Sequence, residues 1–230
     1  MNEAVAAVVG KQGQYALEVV DIQELLPALP DGSVNCLFTD PPYDTESQWL
    51  YTYIYTESHR VLAQGGHLVM IVPQYCLDPY NSQLRAYLPE DWVPDQNFRL
   101  RWEINMNQEE GPHPRLVNSN RNIEVVHKSL LWWTKYPVRM PDYRNLRDSF
   151  DNKPLPVADR KHKWQQSETW AEFCVQLCNP FDVVLDPLMG TGTLPLVALR
   201  QTKLHLQVIG TDHDPEVVEI ARQRIYDEVL

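Results

Sequence analysis

The 230-residue chain carries 20 Lys and Arg against 31 Asp and Glu, a formal net charge of −11, and has interior enough for one sizeable domain with insertions. No apolar run is long enough to span a bilayer, and residues 1–11 lack the basic start and hydrophobic run of a signal peptide, so neither a signal peptide nor a membrane partner is expected. Cys36, Cys76, Cys174 and Cys178 show no metal-ligand spacing, so no metal is expected, and a reduced, cytoplasmic setting fits.

In chain order, Gln14–Val20 reads as a strand that ends at Asp21. Ile22–Leu29 is a short amphipathic helix, and Pro30-Asp31-Gly32 turns the chain into Val34–Phe38, an apolar, β-branched run of buried-strand type. Gln48–Leu62 has helical spacing, Gly65-Gly66 ends it, and His67–Pro73 is another buried strand. This alternation is the grammar of a parallel α/β sheet. The middle is less regular. Asn97–Met106 and Ile123–Thr134 read as two long strands, an antiparallel pair joined by the polar loop Asn107–Asn122. Regular structure resumes with Ser167 as an N-cap for a helix carrying Trp170, Phe173, Cys174 and Leu177. The strand Asp182–Leu185, a helix to about Arg200, the strand Leu206–Thr211 and a last helix capped by Asp214-Pro215 complete the chain.

The run Asp40-Pro41-Pro42-Tyr43 is the first chemical signal. A buried strand ending in acid-Pro-Pro-aromatic presents its carboxylate at the carboxyl edge of the sheet, where ligands of open α/β folds bind. Two prolines fix φ and remove two backbone donors, leaving a stiff turn that offers only acceptors. Asp40 and the Pro41 carbonyl can accept hydrogens from an NH2 group while Tyr43 stacks on the flat ring bearing it. The plain alternative is a Pro-Pro turn capped by Asp.

The second signal is Gly190-Thr191-Gly192 between a strand and a helix, where small residues let a ligand approach the backbone. Asp212 follows Gly192 by twenty residues at the end of the next strand, the placement of a carboxylate that binds ribose hydroxyls. The turn has no Walker lysine and no third glycine, so a nucleoside without a pyrophosphate suits it better than a nucleoside triphosphate or a dinucleotide.

Taken together, Asp40-Pro41-Pro42-Tyr43 and Val184-Leu185-Asp186-Pro187-Leu188-Met189-Gly190-Thr191-Gly192-Thr193 resemble the S-adenosylmethionine-dependent DNA amino-methyltransferases. The catalytic motif precedes the cofactor motif, as in that family's permuted β class. The likeness extends from Val20-Asp21 to Ile209-Gly210-Thr211-Asp212, nearly the whole chain. It implies a Rossmann-like α/β fold with a seven-stranded mixed sheet in one catalytic domain, S-adenosylmethionine as cofactor and double-stranded DNA as substrate. By the same resemblance, Asp40 with Pro41 and Pro42 orients the target amine and Tyr43 stacks on a flipped base. Asp186, Pro187, Leu188, Gly190, Gly192 and Thr193 form the cofactor loop, Asp212 takes the ribose, and Asp21 approaches the cofactor adenine unless it merely caps a turn. His162–Ser167 stands where the family pattern reads His-Pro-Thr-x-Lys-Pro; only the histidine is kept, with Trp164 and Gln166 as contacts to the methionine end. Asp as the first motif residue favours adenine N6 as the target. Cytosine N4 is the near alternative, and an RNA methyltransferase or a non-catalytic nucleic-acid-binding subunit lies further off. A bacterial or phage restriction-modification setting is the family expectation, and a homodimer would help so small a chain embrace DNA.

Charge supports the polyanion. Residues 112–163 hold eleven Lys or Arg against five Asp or Glu, a local balance of +6 on a remainder of −17. Lys161, Lys163, Arg144 and Arg147 are the phosphate-contact candidates. Recognition elements are expected in the insertions 78–95, 107–122 and 136–161.

Overall fold

The computed structural model describes residues 15–44, 46–72, 97–108, 117–118, 123–124, 127–138, 146–153, 155–163 and 165–229. The expected alternation forms: β1 (Tyr15–Val19), α1 (Ile22–Ala28), β2 (Val34–Thr39), α2 (Trp49–Val61) and β3 (Leu62–Val72). After β4 (Phe98–Gln108) come two short strands, β5 (Val117–Asn118) and β6 (Ile123–Glu124), then β7 (His127–Lys135) and β8 (Ser149–Asn152). The chain closes with α3 (Thr169–Cys174), β9 (Val183–Asp186), α4 (Thr193–Leu199), β10 (Gln207–Asp212) and α5 (Pro215–Val229).

Eight strands form one mixed sheet in the order β1-β10-β9-β2-β3-β7-β4-β8. The seven expected strands are all present, and β8 is an addition, parallel to the end of β4 through Asn105–Gln108. Its sequence, Ser-Phe-Asp-Asn, has no apolar alternation, so nothing in its composition announces a strand. Two other boundaries differ from the expectation. Gly65-Gly66 lies inside β3, where pairing slips between Val34↔Leu62 and Cys36↔His67. A Cβ on Gly66 would stand 2.8 Å from the carbonyl oxygens of both Asn35 and Ala63, so the glycines serve a bulge rather than a helix end. The stretch Ile123–Thr134 is divided: β6 pairs with β5 in a separate two-stranded sheet, while β7 lies antiparallel to both β3 and β4.

Both faces of the sheet are covered. One apolar cluster joins β-strand residues to Trp170 and Phe173 of α3, Leu194 and Leu196 of α4, and Val218 and Ile225 of α5. The other joins them to Ile22 and Leu25 of α1 and Leu50 and Ile54 of α2. Adjacent Trp132 and Trp133 go to opposite clusters, as alternation along a strand requires. Among the described residues, no helix is long and apolar enough to cross a membrane.

Candidate active site

The sheet order brings the carboxylates together. The parallel strands β2, β9, β10 and β1 are neighbours, with Leu37 paired to Leu185, Gly210 to Asp186 and Val19 to Asp212. Asp40, Asp186, Asp212 and Asp21 therefore end four adjacent strands at one edge. Between β9 and β2 the covering helices change face, α4 and α5 lying on one side and α1 and α2 on the other. Such a switch point leaves a crevice. Here it holds a cavity of about 520 Å³ lined by Asp40, Tyr43, Asp186, Gly190, Asp212 and their neighbours, within the size range of small-molecule sites.

At the Asp40 end the rigid turn is backed by α2: the buried Tyr51 hydroxyl lies 3.3 Å from the Pro41 carbonyl oxygen and 3.2 Å from that of Pro42. Pro41 thus already shares its carbonyl with the protein, and one lone pair is left for a guest. Tyr43 donates its hydroxyl to Asp40 Oδ1 at 2.5 Å, and Lys128 Nζ on β7 donates to that hydroxyl at 3.0 Å while lying 4.8 Å from the ring centroid. Burial pushes the Asp40 carboxyl above its ordinary value, and the Lys128 charge and the Tyr43 hydroxyl work against that rise. The expected stacking residue is, in this state, a hydrogen-bond partner of the acid.

At the other end Asp212 knits the glycine turn to β10. Its Oδ2 accepts from Gly190 N at 2.9 Å and its Oδ1 from Asp214 N at 3.1 Å, with His213 Nδ1 3.3 Å from Oδ1; Oδ2 keeps a second lone pair for a hydroxyl. Asp186 accepts from Leu188 N at 3.2 Å. Burial, reinforced by the nearby Asp212 and Asp40 charges, pushes its carboxyl up to about 8 against the Leu188 N–H and the Thr39 hydroxyl. Gly190 and Gly192 both have positive φ, +50° and +76°, but for different reasons. A Cβ on Gly190 would meet nothing within 4 Å, whereas one on Gly192 would stand 2.8 Å from Ala221 Cβ. The first glycine leaves room for a guest and the second lets α4 approach α5.

Of the expected site residues, Asp40, Pro41, Pro42, Tyr43, Asp186, Leu188, Gly190, Thr193, Asp212 and Gln166 line the cavity. Pro187 and Gly192 brace it from behind, Pro187 accepting the Thr211 hydroxyl at 3.3 Å. Asp21 is exposed and its carboxylate accepts from Gln23 N at 2.8 Å, the turn-capping role. Trp164 lies outside the described residues. Ser167 does not cap α3, which begins after Glu168; its hydroxyl donates to Asn152 Oδ1 on β8. The insertion 78–95 and most of 107–122, with Arg144, lie outside the described residues.

Three contributors escaped the sequence reading. Lys128 is 85 positions from Tyr43, and only the β3–β7 pairing brings it there. Trp170 reads as a core residue and is 3% exposed, yet it also walls the cavity. Arg224 of α5, 5% exposed, donates from Nη1 to the Thr191 carbonyl at 2.6 Å, fastening the glycine turn from behind.

Comparison with known proteins agrees with this architecture. Residues 101–223 match the N6/N4 DNA methylase family. Type II methyltransferase M.BglII of Bacillus subtilis is 26% identical, the match covering 90% of this chain and 68% of that protein. Type II methyltransferase M.Cfr9I of Citrobacter freundii is also 26% identical, over 90% and 86% respectively. Among solved structures, an M1.HpyAVI–SAM complex superposes with a TM-score of 0.65 at 22% identity, covering 92% of this chain and 98% of that one. The cytosine-N4-specific PvuII DNA methyltransferase superposes with a TM-score of 0.68 at 18% identity, covering 92% and 86%.

Proposed function

The chain belongs to the N6/N4 DNA methylase family, and we propose that it transfers a methyl group from S-adenosylmethionine to an exocyclic amine of a DNA base, adenine N6 in particular. The observation that carries this reading is the opening of Asp40 and the Gly190–Gly192 turn onto one cavity. The lining suits the cofactor: Asp40, Asp186, Asp212 and Asp214 favour a cationic guest, and the space over Gly190 admits one close to the backbone. When bound, the cofactor supplies a methyl group on a positively charged sulfur.

The chain's own residues do the rest. Asp212 would take the ribose hydroxyls, and Asp186, Thr193 and Gln166 flank the same guest. An exocyclic amine is a poor nucleophile because its lone pair is delocalised into the ring. Asp40 accepts hydrogens from the amine and favours its pyramidal form, and its carboxylate faces the positive charge that develops on nitrogen. The base must leave the duplex, at a cost of a few kcal/mol, and the Tyr43 ring beside Asp40 offers it a stacking surface.

The test is transfer from labelled S-adenosylmethionine to unmethylated duplex DNA, followed by nucleoside digestion and mass spectrometry. N6-methyladenine is expected, and Asp40→Ala should reduce the rate by about 10²–10³-fold, the scale of losing one preorganised charge-stabilising group. N4-methylcytosine is the second reading, favoured by the likeness to a cytosine-N4-specific structure; that product would keep the mechanism and move the target. Cofactor bound but no base methylated would sink the reading.

A further inference from the structure

Lys128 stands at the Asp40 end of the cavity for a reason that packing does not supply. Its ammonium lies 3.0 Å from the Tyr43 hydroxyl, which in turn lies 2.5 Å from Asp40 Oδ1. The chain Lys128–Tyr43–Asp40 is thus continuous, and its two ends are fixed by different strands of one sheet, β7 and β2. Strand β7 is held on both sides, pairing with β3 from Thr134 to Ser129 and with β4 from Lys135 to His127, so the lysine stem is anchored rather than waving from a loop.

We infer that Lys128 is a positioning residue for methyl transfer: it holds the Tyr43 ring beside the target amine's site and sets its positive charge against the Asp40 carboxylate. The inference rests on the methyltransferase reading and adds a residue to its machinery. The need for such a cation follows from the surroundings. Around Asp40 stand Asp44 on its own loop, Asp186 on β9, Asp212 on β10, and beyond them His213 and Asp214; His162 comes from the segment before α3, and α3 presents the uncharged Trp170. Burial drives a carboxylate placed there towards its neutral form. Lys128 opposes this through the Tyr43 hydroxyl without occupying the acceptor oxygens directly. When a base enters, its amine replaces the Tyr43 hydroxyl on Asp40 Oδ1, and the hydroxyl stays with Lys128, leaving the ring in place to stack.

The experiment compares wild type, Lys128→Met, Lys128→Arg and Tyr43→Phe. The Asp40 carboxyl is followed by ¹³C NMR titration in the cofactor-free protein, its signal assigned by its loss in Asp40→Asn. Methyl transfer is measured against pH at saturating cofactor. Removing a cation that favours the ionised acid must raise the pH at which Asp40 titrates. The acidic limb of kcat/KM then moves to higher pH in Lys128→Met, with a loss of about tenfold on that limb that shrinks to a few-fold on the alkaline plateau. Lys128→Arg should restore the wild-type limb, and Tyr43→Phe should shift it in the same direction as Lys128→Met. A merely structural role would lower activity equally at all pH values and leave the Asp40 titration where it is, which overturns the inference. Should wild type itself transfer no methyl group, the methyltransferase reading falls, while the titration still decides whether Lys128 governs Asp40. If Lys128→Met does not fold, an unshifted Asp40 titration in Tyr43→Phe overturns the inference.

Discussion

Burial pushes the Asp186 carboxyl up to about 8 from an ordinary 3.8, so near neutral pH the cofactor-free protein carries it largely as the neutral acid. The folded state therefore holds a proton that the unfolded chain releases. The stabilisation this gives is complete below about pH 4 and is lost as pH rises towards about 8. Asp186→Asn keeps an acceptor for Leu188 N but removes the titration. The variant should gain on wild type as pH rises, its melting temperature relative to wild type's climbing by about ten degrees between pH 5 and pH 8, at about 1.4 kcal/mol per pH unit and about 2–4 °C per kcal/mol for a chain of this size. Binding of a cationic cofactor should run the other way. A sulfonium and an ammonium favour the ionised carboxylate, so wild-type affinity for S-adenosylmethionine should rise with pH up to about 8, and Asp186→Asn should flatten that rise. Calorimetric titration across this range checks both; an equally steep rise in the variant would remove Asp186 from the cofactor site.

The turn between β9 and α4 carries two glycines whose roles separate at the level of the element. Alanine at either must adopt a left-handed φ, costing about 1–2 kcal/mol. At Gly192 the added methyl group also meets Ala221 of α5 at 2.8 Å, so α4 and α5 must part and the fold itself is weakened further. At Gly190 the methyl group meets no protein atom within 4 Å and projects where a guest would lie. Gly192→Ala should thus lose more stability than Gly190→Ala, while Gly190→Ala should lose cofactor affinity out of proportion to its stability. Thermal melts with and without S-adenosylmethionine distinguish them; the same ranking in both measurements would contradict the division of labour. Elements of this kind were legible from the chain because they are local: a strand, a glycine turn, a helix and an acid twenty residues on announce one another. The bulge at Gly65-Gly66 was not, since the reason for Gly66 is the Asn35 carbonyl of a neighbouring strand. Nor was β8, whose four residues owe their strand geometry to β4. Lys128 and Arg224 stayed hidden for the same cause, as each acts on a turn that only the sheet order or the packing of α5 brings near.

Across the whole molecule, charge separates more finely than the linear tally suggests. The described cations of the basic stretch 112–163 do not form one patch: Lys135 turns its ammonium to the His59 and Leu62 carbonyls, at 2.7 and 2.8 Å, near the amino end of β3 and away from the cavity. Lys128 at the other end of the same strand is roughly 20 Å distant, at about 3.3 Å per residue, and is engaged with Tyr43. Among the described residues, Lys161 and Lys163 are exposed cations at the cavity rim, flanking His162, which lines it, while Lys161 N donates to the lining Gln165 at 2.7 Å. On a body of net charge −11, a polyanion approaching this rim is attracted locally and repelled elsewhere, so binding leans on the rim lysines. The double variant Lys161→Ala, Lys163→Ala should weaken duplex binding alike for all sequences and reduce the slope of log affinity against log salt by about 2, one for each phosphate that no longer has a cation beside it. Fluorescence anisotropy over a salt series, with two unrelated duplexes, measures this. An unchanged slope would remove the 161–163 segment from the DNA face, and a weakening confined to one duplex would recast these lysines as readers of sequence rather than holders of the backbone.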